Sequence, residues 1–269
     1  MKNIVITGST RGIGLALADA FLQRGCRVII NGRAQETVEQ TCVDLALRHG
    51  SESLFGFPAT VSDPHQVQAL WEYAVEHLGA VDIWINNAGL GHDTEPIWQI
   101  PTAQMRDVIE VNVLGTLYGV QVAMQGMLKQ GFGQIYNLEG FGSNGKTRSG
   151  LSIYGTSKAA VHYLTKALIE EAQGSGIQVG SLQPGMVMTD LVLDRFEEDQ
   201  EALDKAKSIF NIIGDKPENV APWLAEHILE NTRHGAAIDY MPTSKMVGRF
   251  ITAPFSKRDL FDDEDSDKS

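Results

Sequence analysis

The sequence predicts an α/β fold, a doubly wound parallel sheet of about seven strands in a single domain, with a lid after the sixth. Three observations predict it. Short β-branched runs alternate along the chain with longer amphipathic segments. The runs are continuously apolar, as strands covered by helices on both faces are. The first run, at 4–7, passes through a glycine turn directly into a helical pattern, the opening of a βαβ unit.

The elements follow in order. Ile4-Val5-Ile6-Thr7 is strand one, and Leu15-Ala16-Leu17-Ala18 lies in a helix at 12–24. Strand two at 27–31 leads to a helix at 34–48, strand three at 53–57 to one at 64–78, and strand four at 81–86 to a long one at 101–128. Strand five at 134–138 precedes a helix at 153–173. Strand six at 177–182 precedes the lid at about 186–216, a helix at 217–231 and strand seven at 236–239. No repeat or low-complexity linker divides this chain, so one domain spans 1–243. Residues 244–269 form an extension with an acidic, solvated end.

Composition narrows the function. Twenty-two Lys and Arg face 34 Asp and Glu, a net charge of −12, which excludes a broadly basic nucleic-acid binder. Residues 191–204 and 259–269 each carry −5, leaving −2 on the other 244. The charge sits in two appendages on a nearly neutral body. No apolar run reaches the roughly 18 residues of a membrane span. Met1-Lys2-Asn3 leads straight into strand one without room for a secretory signal, so a cytoplasmic chain is expected. Cys26 and Cys42 lack CxxC spacing and the seven histidines lack ligand spacing, so neither a disulfide framework nor a metal site is expected.

Gly8-Ser9-Thr10-Arg11-Gly12-Ile13-Gly14, between a strand and a helix N-terminus, has the makings of a phosphate cradle. Outward backbone N–H groups and the helix dipole favour an anion, and the missing Cβ atoms let a pyrophosphate approach, the Rossmann-type arrangement. Strand two ends Ile30-Asn31-Gly32-Arg33, with no acid for a ribose hydroxyl pair until Glu36. Arg33, with Arg11, suits a 2′-phosphate, so NADP(H) is favoured over NAD(H). Tyr154 and Lys158 share a helix face at i and i+4, where an ammonium draws a phenol's pKa down from about 10 and prepares it for proton transfer.

With these motifs in order, the sequence resembles the short-chain dehydrogenase/reductase family over nearly its whole length. The matches are Thr7-Gly8-x3-Gly12-x-Gly14, Asn86-Asn87-Ala88-Gly89, Asn112 in Val111-Asn112-Val113, Tyr154-x3-Lys158 and Pro184-Gly185. The resemblance implies Tyr154 as proton donor, Lys158 as its pKa tuner and a ribose ligand, and Asn112 as the holder of a relay water in a kinked helix. It implies that Asn87, Ala88 and Gly89 line the adenine-ribose side, that Thr60 and Val61 lie near the adenine, and that Pro184, Gly185, Val187 and Thr189 meet the nicotinamide end. It also implies a homodimer or homotetramer.

Two positions depart from the family. Strand five ends Asn137-Leu138-Glu139-Gly140, with glycine where the carbonyl-binding serine usually stands. Ser143 is the candidate stand-in; one lost oxyanion donor costs on the order of a hundredfold in rate. Ala59-Thr60-Val61 lacks the usual adenine-contacting Asp. The run 137–143, Pro184-Gly185-Met186-Val187-Met188-Thr189-Asp190-Leu191, Phe210-Asn211-Ile212-Ile213 and Tyr240-Met241-Pro242 are similar to chlorophyll b reductases. That likeness implies reduction of a formyl group on a chlorin. The lack of a transit segment implies a bacterial or cyanobacterial member. Glu139, Gly140, Phe141, Met186, Leu191 and Phe210 are the candidate substrate contacts, with His92 and Trp98 as further pocket aromatics. A general carbonyl or 3-oxoacyl reductase, and a weakly catalytic NADPH-binding sensor, are the alternatives. The lid's apolar residues suit a bulky apolar substrate. Residues 246–255, apolar with one cation, suit packing, a subunit contact or a peripheral membrane surface.

Overall fold

The computed structural model describes residues 1–193, 200–255 and 258–261. In chain order its strands are β1 (Asn3–Ile6), β2 (Arg27–Gly32), β3 (Leu54–Pro58), β4 (Ile83–Asn86), β5 (Gly133–Leu138), β6 (Ile177–Gln183), β7 (Met186–Val187), β8 (Gly214–Asp215) and β9 (Ala236–Asp239). Seven of them form one sheet in the order β3-β2-β1-β4-β5-β6-β9, every pair parallel. The order reverses at β1 and β4, and the crevice beyond their C-terminal ends is where such sheets bind ligands.

The helices are α1 (Gly12–Gln23), α2 (Gln35–His49), α3 (Pro64–Leu78), α4 (Thr102–Ile109), α5 (Gly115–Gln130), α6 (Ser152–Glu171), α7 (Asp190–Leu193), α8 (Gln200–Ile213), α9 (Pro217–Glu230) and α10 (Thr243–Thr252). Successive strand residues face opposite layers. Ile4 and Ile6 pack with Leu17, Phe21, Leu224 and Ile228 on one side. Val5 packs with Trp71, Trp84, Val120 and Leu168 on the other. Both faces are therefore dry, as the continuous apolar runs require. Each fully buried aliphatic side chain contributes about 1.5–3 kcal/mol. Local chemistry sets the ends: the Asp63 carboxylate accepts from the N–H groups of His65 and Gln66, and Pro64 opens α3.

The stretch at about 186–216, expected as a lid, is built from regular elements among the described residues. β7 and β8 pair in parallel, and α8 fills the interval. Leu203, Ala206, Ile209 and Phe210 recur at helical spacing beneath an acidic surface and pack with Met188, Leu260 and Phe261 in a small separate core. Residues 194–199 of the acidic cluster lie outside the described residues.

The extension also differs from the expected tail. α10 starts at its beginning, and Asp215 gathers the surrounding elements. The Asp215 carboxylate accepts from Arg249 (2.7 Å), Arg258 (2.8 Å), Tyr240 Oη (2.7 Å) and Asn219 (3.0 Å). The opposite side of α10 exposes Val247, Phe250 and Ile251. The acidic end at 262–269 lies outside the described residues. Among the described residues no helix is long and apolar enough to cross a membrane.

Candidate active site

The glycine turn joins β1 to α1 at the sheet's switch point. Gly8 has φ +61°, and a Cβ there would stand 2.7 Å from the Ala88 backbone, so only glycine fits. A Cβ on Gly14 would meet the Asn87 amide at 2.4 Å. Arg11 caps α1 without a side-chain hydrogen bond, and the first turn holds no acid. Its N–H groups and dipole are thus left for an anion.

The loop after β4 clamps this turn. The Thr7 hydroxyl accepts the N–H groups of Asn87 (3.0 Å) and Ala88 (3.1 Å), and the Asn87 amide donates to the carbonyls of Thr7 and Gly8, both at 2.8 Å. Asn87 Oδ1 is buried with no hydrogen-bond partner among the described residues. An acceptor left over beside a glycine cradle with free donors fits a dinucleotide, whose hydroxyls would supply the missing proton.

Asn31, where a ribose-binding acid would stand, serves the scaffold instead. It is buried, accepts from Gly8 N–H (3.2 Å) and donates to the carbonyls of Phe57 (3.2 Å) and Ala59 (3.1 Å). Arg33 is exposed with no ion-pair partner among the described residues. Arg11 Nη1 lies 3.8 Å from Asp190 Oδ2 at the start of α7. Thr189 reaches over the turn, its Cγ2 3.4 Å from a Cβ built on Gly12. Thr60 is tied by its N–H to Gln66, and Val61 is buried against Gly115. Gly185 has φ +74° and abuts Met241, while Pro184 and Val187 are buried at the β6 end.

The candidate catalytic groups meet at the C-terminal end of β5. Tyr154 and Lys158 rise from the first turns of α6, both nine-tenths or more buried. Lys158 Nζ donates to the Leu138 carbonyl at 3.0 Å and stands 5.9 Å from the Tyr154 ring centroid. Burial pushes the Lys158 ammonium down to about 8, against the pull of the Glu139 charge.

Asn112 lies in a π-helical turn (Glu110–Leu114) between α4 and α5, the bend expected there. Its side chain is fully engaged: Oδ1 accepts Leu90 N–H (2.7 Å), and Nδ2 donates to Leu90 O (2.9 Å) and Ser157 Oγ (2.9 Å). Ser157, not anticipated from the sequence, donates in turn to the Tyr154 carbonyl at 2.7 Å.

Several candidates stand elsewhere than expected. Ser143 Oγ accepts Gly140 N–H (3.1 Å) and donates to the Lys158 carbonyl (3.3 Å), so its proton closes the turn after β5 and is not directed at a substrate. A Cβ on Gly140 would lie 2.6 Å from Tyr154 Oη, so the phenol fills the place of the usual serine. Glu139 turns inward: it is 3% exposed and is held by His162 Nδ1 (2.8 Å) and Gln183 Nε2 (3.1 Å). His162, spaced four residues beyond Lys158, was the missed signal. Phe210 is consumed by the small core of α8 beside Met188 and Phe261. Met186 and Leu191 are partly exposed and Phe141 is exposed in the turn after β5. Trp98 is 82% exposed, and His92 is buried with Nδ1 at 2.7 Å from the Asp93 carbonyl.

This sheet, glycine cradle and Tyr–Lys helix define a nicotinamide-dependent oxidoreductase. A family model described as short chain dehydrogenase matches residues 2–200, and the chain belongs to the short-chain dehydrogenase/reductase family. It is 31% identical over 279 residues to a probable chloroplastic chlorophyll(ide) b reductase of Arabidopsis thaliana, covering 98% of this chain and 55% of that protein. It is 36% identical over 231 residues to a chloroplastic chlorophyll(ide) b reductase of Oryza sativa subsp. japonica, covering 84% and 66%. The chain thus spans just over half to about two thirds of these relatives' length. Among solved structures, the 3-ketoacyl-(acyl-carrier-protein) reductase of Brucella melitensis complexed with NADH superposes with a TM-score of 0.78 at 25% identity, over 89% of this chain and 96% of that one.

Proposed function

We propose that the protein is an NADPH-dependent reductase of a formyl group on a bulky apolar substrate, of the chlorophyll(ide) b type. The observation that carries the reading is the buried Tyr154–Lys158 pair at the end of β5, with the phenol set against Gly140. The substrate class is supported by the likeness to chlorophyll(ide) b reductases across most of the chain.

The residues that would hold the dinucleotide are the 8–14 turn for the pyrophosphate, Arg33 for a 2′-phosphate, Asn87 to Gly89 for the ribose and Lys158 with Thr189 for the nicotinamide half. The chemistry it supplies when bound is hydride donation to the carbonyl carbon. Tyr154 Oη donates its proton to the carbonyl oxygen as negative charge develops there. The Lys158 ammonium favours the phenolate left behind. Asn112 and Ser157 fix the loop after β4 and the first turn of α6, keeping the phenol on line. Arg33 selects the phosphorylated dinucleotide because it is a guanidinium with no ion-pair partner among the described residues, beside an end of β2 that lacks an acid.

The test incubates the protein with NADPH or NADH and chlorophyllide b, following pigment absorbance and product identity. The expected product is the hydroxymethyl pigment, with NADPH bound about tenfold or more tightly than NADH, the worth of one charge-assisted contact. Turnover of a small ketone or 3-oxoacyl thioester but not of the pigment overturns the substrate class. Tight NADPH binding with no carbonyl turned over marks a sensor.

A further inference from the structure

We propose that Glu139, clamped by His162 and Gln183, is a positioning residue that holds the Lys158 side chain as a cation aimed at Tyr154. The inference rests on the reductase reading only for its kinetic arm. Glu139 follows directly on β5, and its own N–H donates to the Leu182 carbonyl at 2.8 Å. Its two carboxylate oxygens are taken separately, Oε1 by His162 of α6 at 2.8 Å and Oε2 by Gln183 of β6 at 3.1 Å. Two elements, α6 and β6, therefore fix a carboxylate that is 3% exposed. Nothing about the β5 turn alone requires an acid in so dry a place.

The neighbouring peptide supplies the reason. Lys158 Nζ donates to the carbonyl of Leu138, the residue before Glu139, so the strand end offers that ammonium a dipole, and the Glu139 carboxylate stands one residue further along the same turn. Tyr154, Lys158 and His162 recur every four residues and share one face of α6. The titratable groups on this side are Tyr154 and His162 from α6 and Glu139 from the turn after β5. The other neighbours are neutral: Gln183 of β6, Asn112 of the π-helical turn, and Gly89, where a built Cβ lies 3.8 Å from Lys158 Nζ. Glu139 is thus the charge that opposes the cost of burying the ammonium, and burial has already brought that group to about 8. Removing the carboxylate discharges Lys158 within the working pH range and leaves Tyr154 without its cation.

The experiment reads Lys158 directly. Wild type, Glu139→Gln and Glu139→Asp are labelled with acetic anhydride across pH 6 to 11, and acylation of Lys158 is quantified by peptide mass spectrometry. The midpoint is expected to fall by about one pH unit in E139Q, the scale of one nearby opposite charge, and to return most of the way in E139D. The alkaline limb of the kcat profile moves with it, while NADPH affinity at pH 6 is unchanged. An unchanged midpoint in E139Q, or a rate loss equal at every pH, overturns the proposal. If E139Q does not fold by circular dichroism, Glu139→Met carries the same test with similar volume and no charge. Labelling needs no turnover, so a wild type that reduces no carbonyl defeats the reductase reading and leaves this measurement standing.

Discussion

At the scale of single residues, the site is built around a missing side chain. Gly140 leaves the space that Tyr154 Oη fills, 2.6 Å from where a Cβ would sit. Restoring the family's usual serine by Gly140→Ser should therefore harm and not help. The ring is nine-tenths buried and cannot swing away freely, and a displacement near 1 Å costs about a hundredfold in rate. Steady-state kinetics should show kcat falling by about that factor with KM for NADPH little changed, and a rise in kcat would contradict the geometry. The tyrosine, lysine, asparagine and glycines were legible in the sequence because each carries a fixed spacing. Glu139 and Ser143 were legible only as residue types near the site. Which way their side chains turn depends on Gln183, His162 and the Lys158 carbonyl, partners far away in sequence that no local pattern names.

At the scale of elements, every strand of the main sheet was readable, since a parallel strand buried on both faces writes itself as an unbroken apolar run. The lid was not. In α8 the apolar stripe is interrupted by Glu201, Asp204, Lys205 and Lys207, and its partners Met188, Leu260 and Phe261 come from both sides of the chain. Asp215 ties these pieces together, and its consequences are electrostatic. Burial alone would raise its carboxyl, but hydrogen bonds from Arg249, Tyr240 and Asn219 and the charge of Arg258 bring it below the usual value near 3.8. The stability it contributes is therefore complete above that value and fades as pH falls through the lowered one. Asp215→Asn should lose about 2 kcal/mol at pH 7, less than a fully buried pair because both guanidiniums keep part of their surface in water. In thermal melts from pH 7 to 3 the gap to wild type should close below about pH 4. A gap that stays constant with pH would show that Asp215 acts through packing alone.

At the scale of the whole molecule, a nearly neutral α/β body carries a glycine cradle at its switch point, the Tyr154–Lys158 pair beside β5, two strands away, and the β7–β8 ribbon with α8, tied to α10 through Asp215 and Arg249. In the proposed reaction Tyr154 delivers the proton to the carbonyl, and the cofactor binds independently of it. Tyr154→Phe, which removes only the hydroxyl, tests this most directly when NADPH binding by fluorescence and NADPH oxidation with chlorophyllide b are measured on the same sample. Binding should be unchanged and turnover should fall about a hundredfold or more. Retained turnover would remove Tyr154 from the mechanism and with it the reading of the site.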